Sequence, residues 1–316
     1  MTDRWPTLEA DDRPIVECLH AYLQVIGKLP TRALPWLNHS WHVVLRVVPQ
    51  GFRTYPIPFD QGEAEVLVDC LSGHVEIVTS TGDKAAVSMA GRSVADFHAA
   101  LSRELHGVGV TTSISGAPNE VEEAVPFAQD HAERHWNADI VRRIHRAFSD
   151  ANRVFERFRT GFVGKSSPSH LFWGGFDLAV TRFSGRKAPL HPGRFPNLDD
   201  AVTREAYSHE VASFGFWPGG GGGGVEGAAF YAYGYPTPDG LSDESVSPDA
   251  AYWHDELGEF VLPYEAVRSA SNPDEELLQF LRSTYNAISD RANWDRDALD
   301  IPEGKVGEPR PIPPRD

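Results

Sequence analysis

The stretch SHLFWGGFDLAVTRFSGR, residues 169–186, decides the fold. Read by strict alternation it is one long strand. His170, Phe172, Gly174, Phe176, Leu178, Val180 and Arg182 then share one face, and Leu171, Trp173, Gly175, Asp177, Ala179 and Thr181 share the other. Both faces are largely apolar, as in a strand covered on two sides. Asp177 is therefore expected to be buried, and a buried carboxylate needs a partner or a shifted pKa. Either it lines a pocket, or it pairs with an arginine or backbone amides and only fixes the fold. The twin glycines leave room for a ligand or a neighbouring backbone.

Outward from this strand, apolar residues three and four apart (Val141, Ile144, Phe148, Ala151, Phe155, Phe158) predict a helix from Asp139 to about Arg159. SHEVASFGFW (208–217) and GAAFYAYGY (227–235) predict two further strands, and Asn272-Pro273 with Glu275 opens a last helix. Towards the N-terminus, Asp12 and Pro14 start a helix that Gly27 and Pro30 are expected to end. Strands follow at 39–48, 63–71 and 74–80, then a helix from Ser93 to His106 and a short strand at 108–114. The fold class is α+β in two halves, each a mainly antiparallel sheet with flanking helices. The halves run 1–117 and 137–295, joined by an acidic linker over 118–136 and followed by a disordered, Pro-rich tail over 296–316.

Each half opens on an amphipathic helix ending in a Gly-Lys pair (Gly27-Lys28, Gly164-Lys165), followed by a proline-containing turn and a His/Trp-bearing strand. Such recurrence reads as a degenerate duplication of about 150 residues. Chance recurrence of helix, turn and strand is the other reading.

A net charge of −16 across 316 residues argues against nucleic acid, which needs clustered Lys and Arg. No apolar run approaches the roughly 18 residues that span a bilayer, no basic amphipathic helix appears, and the N-terminus lacks a signal-peptide pattern. Cys18 and Cys70 sit in apolar patterns and read as buried thiols. A cytoplasmic protein is expected.

The candidate chemistry lies in three segments. NHSWHV (38–43) offers His39, Trp41 and His42; the opening strand offers His170, Trp173, Asp177 and Arg182; YSHEVASFGFW (207–217) offers His209, Glu210 and Trp217. Histidines converging at the sheet ends would make a site for a divalent metal, with Asp177 or Glu210 as the acid/base group. Within a regular strand His39 and His42 diverge, so a shared metal needs a bulge there. No HExxH or paired CxxC occurs, and structural histidines are the competing reading. WPGGGGGGVEG (217–227) lacks the following Lys and Ser/Thr of a phosphate loop and reads as a flexible hairpin connection. Phe230, Tyr231, Tyr233 and Tyr235 beyond it either line a pocket or pack the sheet, and packing is the favoured expectation. The G-x-S-x-G nucleophile pattern is absent.

Together NHSWHV, GKSSPSHLFWGGFDLAVTRFSGR, REAYSHEVASFGFWPGG and LGEFVLPYEAVR resemble a bacterial protein family, the domain of unknown function 5996, from Trp5 to about Trp294. The resemblance implies no activity, cofactor or catalytic residue. Two functions from different classes remain. One is a small-molecule enzyme or binding protein whose pocket lies between the halves. The other is a non-catalytic interaction or accessory protein in which the same residues are structural. A concave pocket lined by these side chains favours the first, and their dispersal through a closed core favours the second.

Overall fold

The computed structural model describes residues 4–114, 116–220, 225 and 227–310. The chain is α+β, with two antiparallel six-stranded sheets. Helix α1 (Arg13–Ala33) precedes β1 (Arg46–Val48), β2 (Gly51–Arg53), β3 (Ile57–Phe59), β4 (Gly62–Asp69), β5 (His74–Thr79) and β6 (Lys84–Ser88), and α2 (Val94–Gly107) closes this half. The strands pair in the order β1-β2-β4-β5-β6, with β3 on the end of β4. In the second half α3 (Ala138–Arg159) precedes β7 (His170–Phe172) and β8 (Asp177–Lys187). The short helix α4 (Asp200–Ala206), β9 (His209–Trp217), β10 (Ala229–Tyr235), β11 (Tyr252–His254) and β12 (Glu259–Pro263) come next, then helices α5 (Tyr264–Ser269), α6 (Pro273–Arg291) and α7 (Arg296–Leu299). This sheet has the order β11-β12-β10-β9-β8-β7. Both halves thus run from a helix through an antiparallel sheet to a helix.

The sheets meet at one point. Leu45, just before β1, exchanges two backbone hydrogen bonds with Leu171 in β7, at 2.9 and 2.8 Å. Helix α3 fills the space beside this junction, and its Phe148 ring packs on Phe52, Phe176 and Phe216 from both halves. A single apolar core consequently runs through the molecule. Among the described residues no helix is long and apolar enough to cross a membrane. Cys18 and Cys70 are both buried and free.

The opening segment is a hairpin and not one strand. Phe172 pairs with Asp177 and His170 with Ala179 across a tight turn at Trp173-Gly174-Gly175-Phe176. Phe176 takes a positive φ of 55°, a conformation that alternation alone cannot reveal. The faces expected within 177–182 nevertheless hold, because they belong to one strand.

Other corrections share a local cause. Residues 39–45 are not a strand: His39 (φ 58°) and Ser40 (φ 57°) turn left-handed, within a 3-10 turn over Asn38–Ser40. Residues 108–114 form no strand. Helix α1 continues through Gly27 and Pro30 to Ala33. Gly27 is required by packing, since a Cβ there would stand 2.1 Å from the Trp173 indole. The segment 118–136 is no loose linker: it is pinned to α1 by Gln24 and buries Phe127. The expected tail is ordered at its start, where α7 leads to Asp300, which bridges Phe162 and accepts from the Tyr285 hydroxyl. β9 and β10 pair directly, as a hairpin across the glycine run would require; the flexibility expected of that run concerns residues 221–224, which lie outside the described residues, as do 311–316 of the tail.

Candidate functional site

Alternation along the second sheet gives it two unlike faces. Leu178, Val180, Phe214, Phe216 and Phe230 are buried in the core. From the opposite face Asp177, Ala179, Thr181 and Phe183 of β8, Val211 and Ser213 of β9, and Tyr231 and Tyr233 of β10 line a cavity of about 290 Å³. The first half closes it with Thr31, Trp36, His39–Trp41 and Val43, the segment between the halves adds Asn119 and Glu120, and Phe195, Leu198 and α4 complete the wall. The pocket therefore lies between the halves. From Asp177 to Phe183 its floor spans about 20 Å at strand rise.

One end is acidic. The Tyr231 hydroxyl donates to the Asp177 carboxylate at 2.5 Å. Burial raises the Asp177 pKa to about 6, against the opposing pull of that hydrogen bond. Glu120 lies over the hairpin turn, so that a Cβ on Gly174 would stand 2.1 Å from its Oε1 and one on Gly175 3.6 Å from its Oε2. The twin glycines thus make room for a carboxylate. Glu120 is exposed along one side, and the protein packed around the rest of it and then the Asp177 charge push it up to about 7, with Lys28 opposing. Glu259, on β12, is raised to about 8 by burial and by Asp177, and its Oε2 is buried without a hydrogen-bond partner among the described residues. Beside them the Tyr207 and Tyr233 hydroxyls share a hydrogen bond of 2.8 Å. Like charges in a poorly solvated site cannot all ionise together, so this end holds protons at neutral pH.

A polar line on α1 positions these groups. His20, Gln24 and Lys28 stand four residues apart and so share a helix face. His20 Nε2 contacts the carbonyls of Trp173 and Gly174 at 3.0 and 2.9 Å. Gln24 donates to Gly174 O and Asn119 O and accepts from the Asn119 amide. Lys28 donates to the Asn119 side chain. Glu120 has a positive φ of 61° and its amide donates to Pro196 O. Turn and carboxylate are thereby clamped to the same helix.

The other end holds Lys165 and His39, with Glu205 accepting from the His39 amide at 2.7 Å. His39 Nδ1 donates to Ala206 O at 2.7 Å, which leaves Nε2 to accept from Lys165 Nζ at 2.7 Å. Burial lowers the pKa of both groups, and Lys165 lowers that of His39 further. The Lys165 ammonium rests on the faces of Phe183 and Trp41.

Of the residues expected from sequence, the cavity gathers His39, Trp41, Trp173 and Asp177. The others lie elsewhere. His42 accepts from the Leu37 amide and packs on Trp36. His170 donates through Nδ1 to Pro168 O, packs edge-on against Phe172 and is lowered to about 4 by burial. His209 hydrogen-bonds Ser208, and Glu210 pairs with Arg186. Arg182 faces the core, donating to Phe158 O and lying over three aromatic rings. Trp217 stacks on Tyr231 from outside the lining. Among the described residues no three His, Cys, Asp or Glu side chains are grouped to hold a metal. His209 acts on the charge of His39, and no third such side chain joins them among the described residues.

Sequence reasoning missed Glu120, Glu259 and Lys165, and it favoured packing for Tyr231 and Tyr233, which line the cavity. The twin glycines were the one signal for Glu120, because such a pair implies a close neighbour.

A model of the family of unknown function DUF5996 matches residues 5–301, and the chain belongs to that family. No curated protein and no solved structure matches the chain.

Proposed function

We propose that this family member binds a small organic molecule between its halves and exchanges a proton with it through Asp177 and Glu120. The observation that carries this reading is the carboxyl pair itself, two groups held protonatable near neutral pH at the wall of a formed cavity. Raised carboxyls in a cleft are the usual equipment of general acids and bases. Tyr231 orients Asp177, and the α1 clamp orients Glu120. Exposed Trp36 and Phe195 (51% and 40% accessible) also line the cavity and form its apolar lip. They favour a small-molecule entrance over the accessory-protein reading. A histidine-held metal receives no support, because no third ligand joins His39 and His209 among the described residues.

Ala179, 3% exposed on the cavity floor, offers the test. Ala179→Phe puts a ring into the cavity from its floor and leaves both carboxyl residues in the chain. Fragments that bind the parent protein in a ligand-observed NMR screen are expected to lose at least about tenfold in affinity, because a ligand excluded from its pocket forfeits most of its buried area. Fragments that bind the variant equally well, or a screen with no hit, would contradict the reading.

A further inference from the structure

We propose that the cavity takes a protonated amine on an aromatic or aliphatic body, with its ammonium group between Glu120 and Asp177; this rests on the pocket reading above. Charge balance is the first reason. None of the ion pairs among the described residues uses Glu120, Asp177 or Glu259. One ammonium, that of Lys28, acts on Glu120, and it is itself held by Asn119. The two cavity-lining carboxyls thus have Lys28, beside Glu120, as their neighbouring cation, and a ligand ammonium completes the site. Desolvated carboxylates are costly until such a partner arrives.

The rings of the wall supply the second reason. Lys28 Nζ lies 5.2 Å from the Trp173 ring centre, and Lys165 Nζ lies 4.6 Å from Phe183 and 5.3 Å from Trp41. The cavity wall already accepts ammonium groups on aromatic faces, an attraction that strengthens out of water. Tyr231, Tyr233 and Tyr207 present further rings beside the carboxyls. At the His39 end Lys165 already stands beside Glu205, so a ligand cation is directed to the carboxyl end. At the His39 end Ser40 Oγ and Thr203 Oγ1 belong to buried cavity-lining side chains (7% and 3% exposed) and have no hydrogen-bond partner among the described residues. They suit a polar group at the far end of the ligand.

Titration calorimetry near neutral pH with 2-phenylethylamine, 3-phenylpropan-1-ol and 3-phenylpropionate tests this. The amine is expected to bind at least about tenfold more tightly than the alcohol, and Asp177→Asn and Glu120→Gln each to weaken it by about tenfold or more, as for loss of a charge-assisted contact. Two variants on different segments guard against one failing to fold. Equal affinity for the alcohol or the acid, or amine binding unchanged in both variants, overturns the proposal. If the alcohol or acid binds and Ala179→Phe abolishes it, the pocket reading stands and the amine falls. If none of the three binds, both fall.

Discussion

At about pH 9 the Glu259→Gln variant is expected to be more stable than the parent protein by on the order of a few kcal/mol, and at about pH 4.5 the two are expected to agree within about 1 kcal/mol. Burial and the Asp177 charge hold the folded-state pKa of Glu259 at about 8, well above that of an ordinary carboxyl. A raised carboxyl favours the protonated folded state. Its contribution is therefore present below the unfolded-state pKa and is lost as pH rises through the folded value. The window of loss runs from about pH 4.5 to about pH 8, and each pKa unit corresponds to about 1.4 kcal/mol. Glutamine cannot ionise and skips the loss. The size is held to a few kcal/mol because Glu259 is only partly shielded from water. Urea unfolding of both proteins at the two pH values checks it, and a stability difference that does not change with pH would contradict the assignment. Asp177, at about 6, has an earlier window. Such gains on removing a charge mark a site kept at the expense of stability.

Trp173→Ala is expected to destabilise the protein by about 3–5 kcal/mol, the usual range for deleting a buried large aromatic. Trp173 is 5% exposed and joins three parts of the molecule. Its indole N–H donates to Val43 O at 2.9 Å, its ring fills the notch that Gly27 leaves in α1, and its backbone carbonyl is held by His20. Alanine would leave a void against α1 and an unpaired Val43 carbonyl. Trp173→Phe should recover most of the packing and leave only the lost hydrogen bond, about 1–3 kcal/mol. Denaturant titration of both variants separates the two costs. A loss below about 1 kcal/mol for the alanine variant would show that the notch can collapse, and that Trp173 does not tie the halves together.

How much of this was legible in the sequence follows from the physics of each segment. Helices α2, α3 and α6 carry periodic apolar stripes and caps; Ser93 accepts from the Asp96 amide and Asn272 from that of Glu275, as read. Strands β4, β5, β9 and β10 alternate and were read near their bounds. Segment 169–186 failed because a four-residue turn can sit inside an apolar run without a polar residue to announce it. Pro30 failed as a stop because a proline in the last turn gives up only one helical hydrogen bond, and the helix ends three residues later.

The site was half visible. Asp177 was found from its apolar neighbours, and His39, Trp41 and Trp173 from their types. Glu120 stands in an irregular acidic stretch where one glutamate looks like any other, and only the tertiary clamp by Gln24 and Asn119 distinguishes it. Tyr231 and Tyr233 read as packing, since alternation places both rings on one face but does not say which face is hollow. The histidines misled because their convergence depended on backbone turns that no periodicity encodes.

The central claim is that Asp177 and Glu120, at the cavity wall, titrate well above the ordinary carboxyl range. Carboxyl ¹³C NMR titration of the protein, with Asp177→Asn and Glu120→Gln for assignment, measures this directly. The account predicts one aspartate resonance titrating near 6 and one glutamate resonance near 7, each lost in its own variant, with the Glu120 midpoint falling in Asp177→Asn. Both resonances titrating in the ordinary range, about 3.9 to 4.3, and indifferent to the other variant, would contradict it.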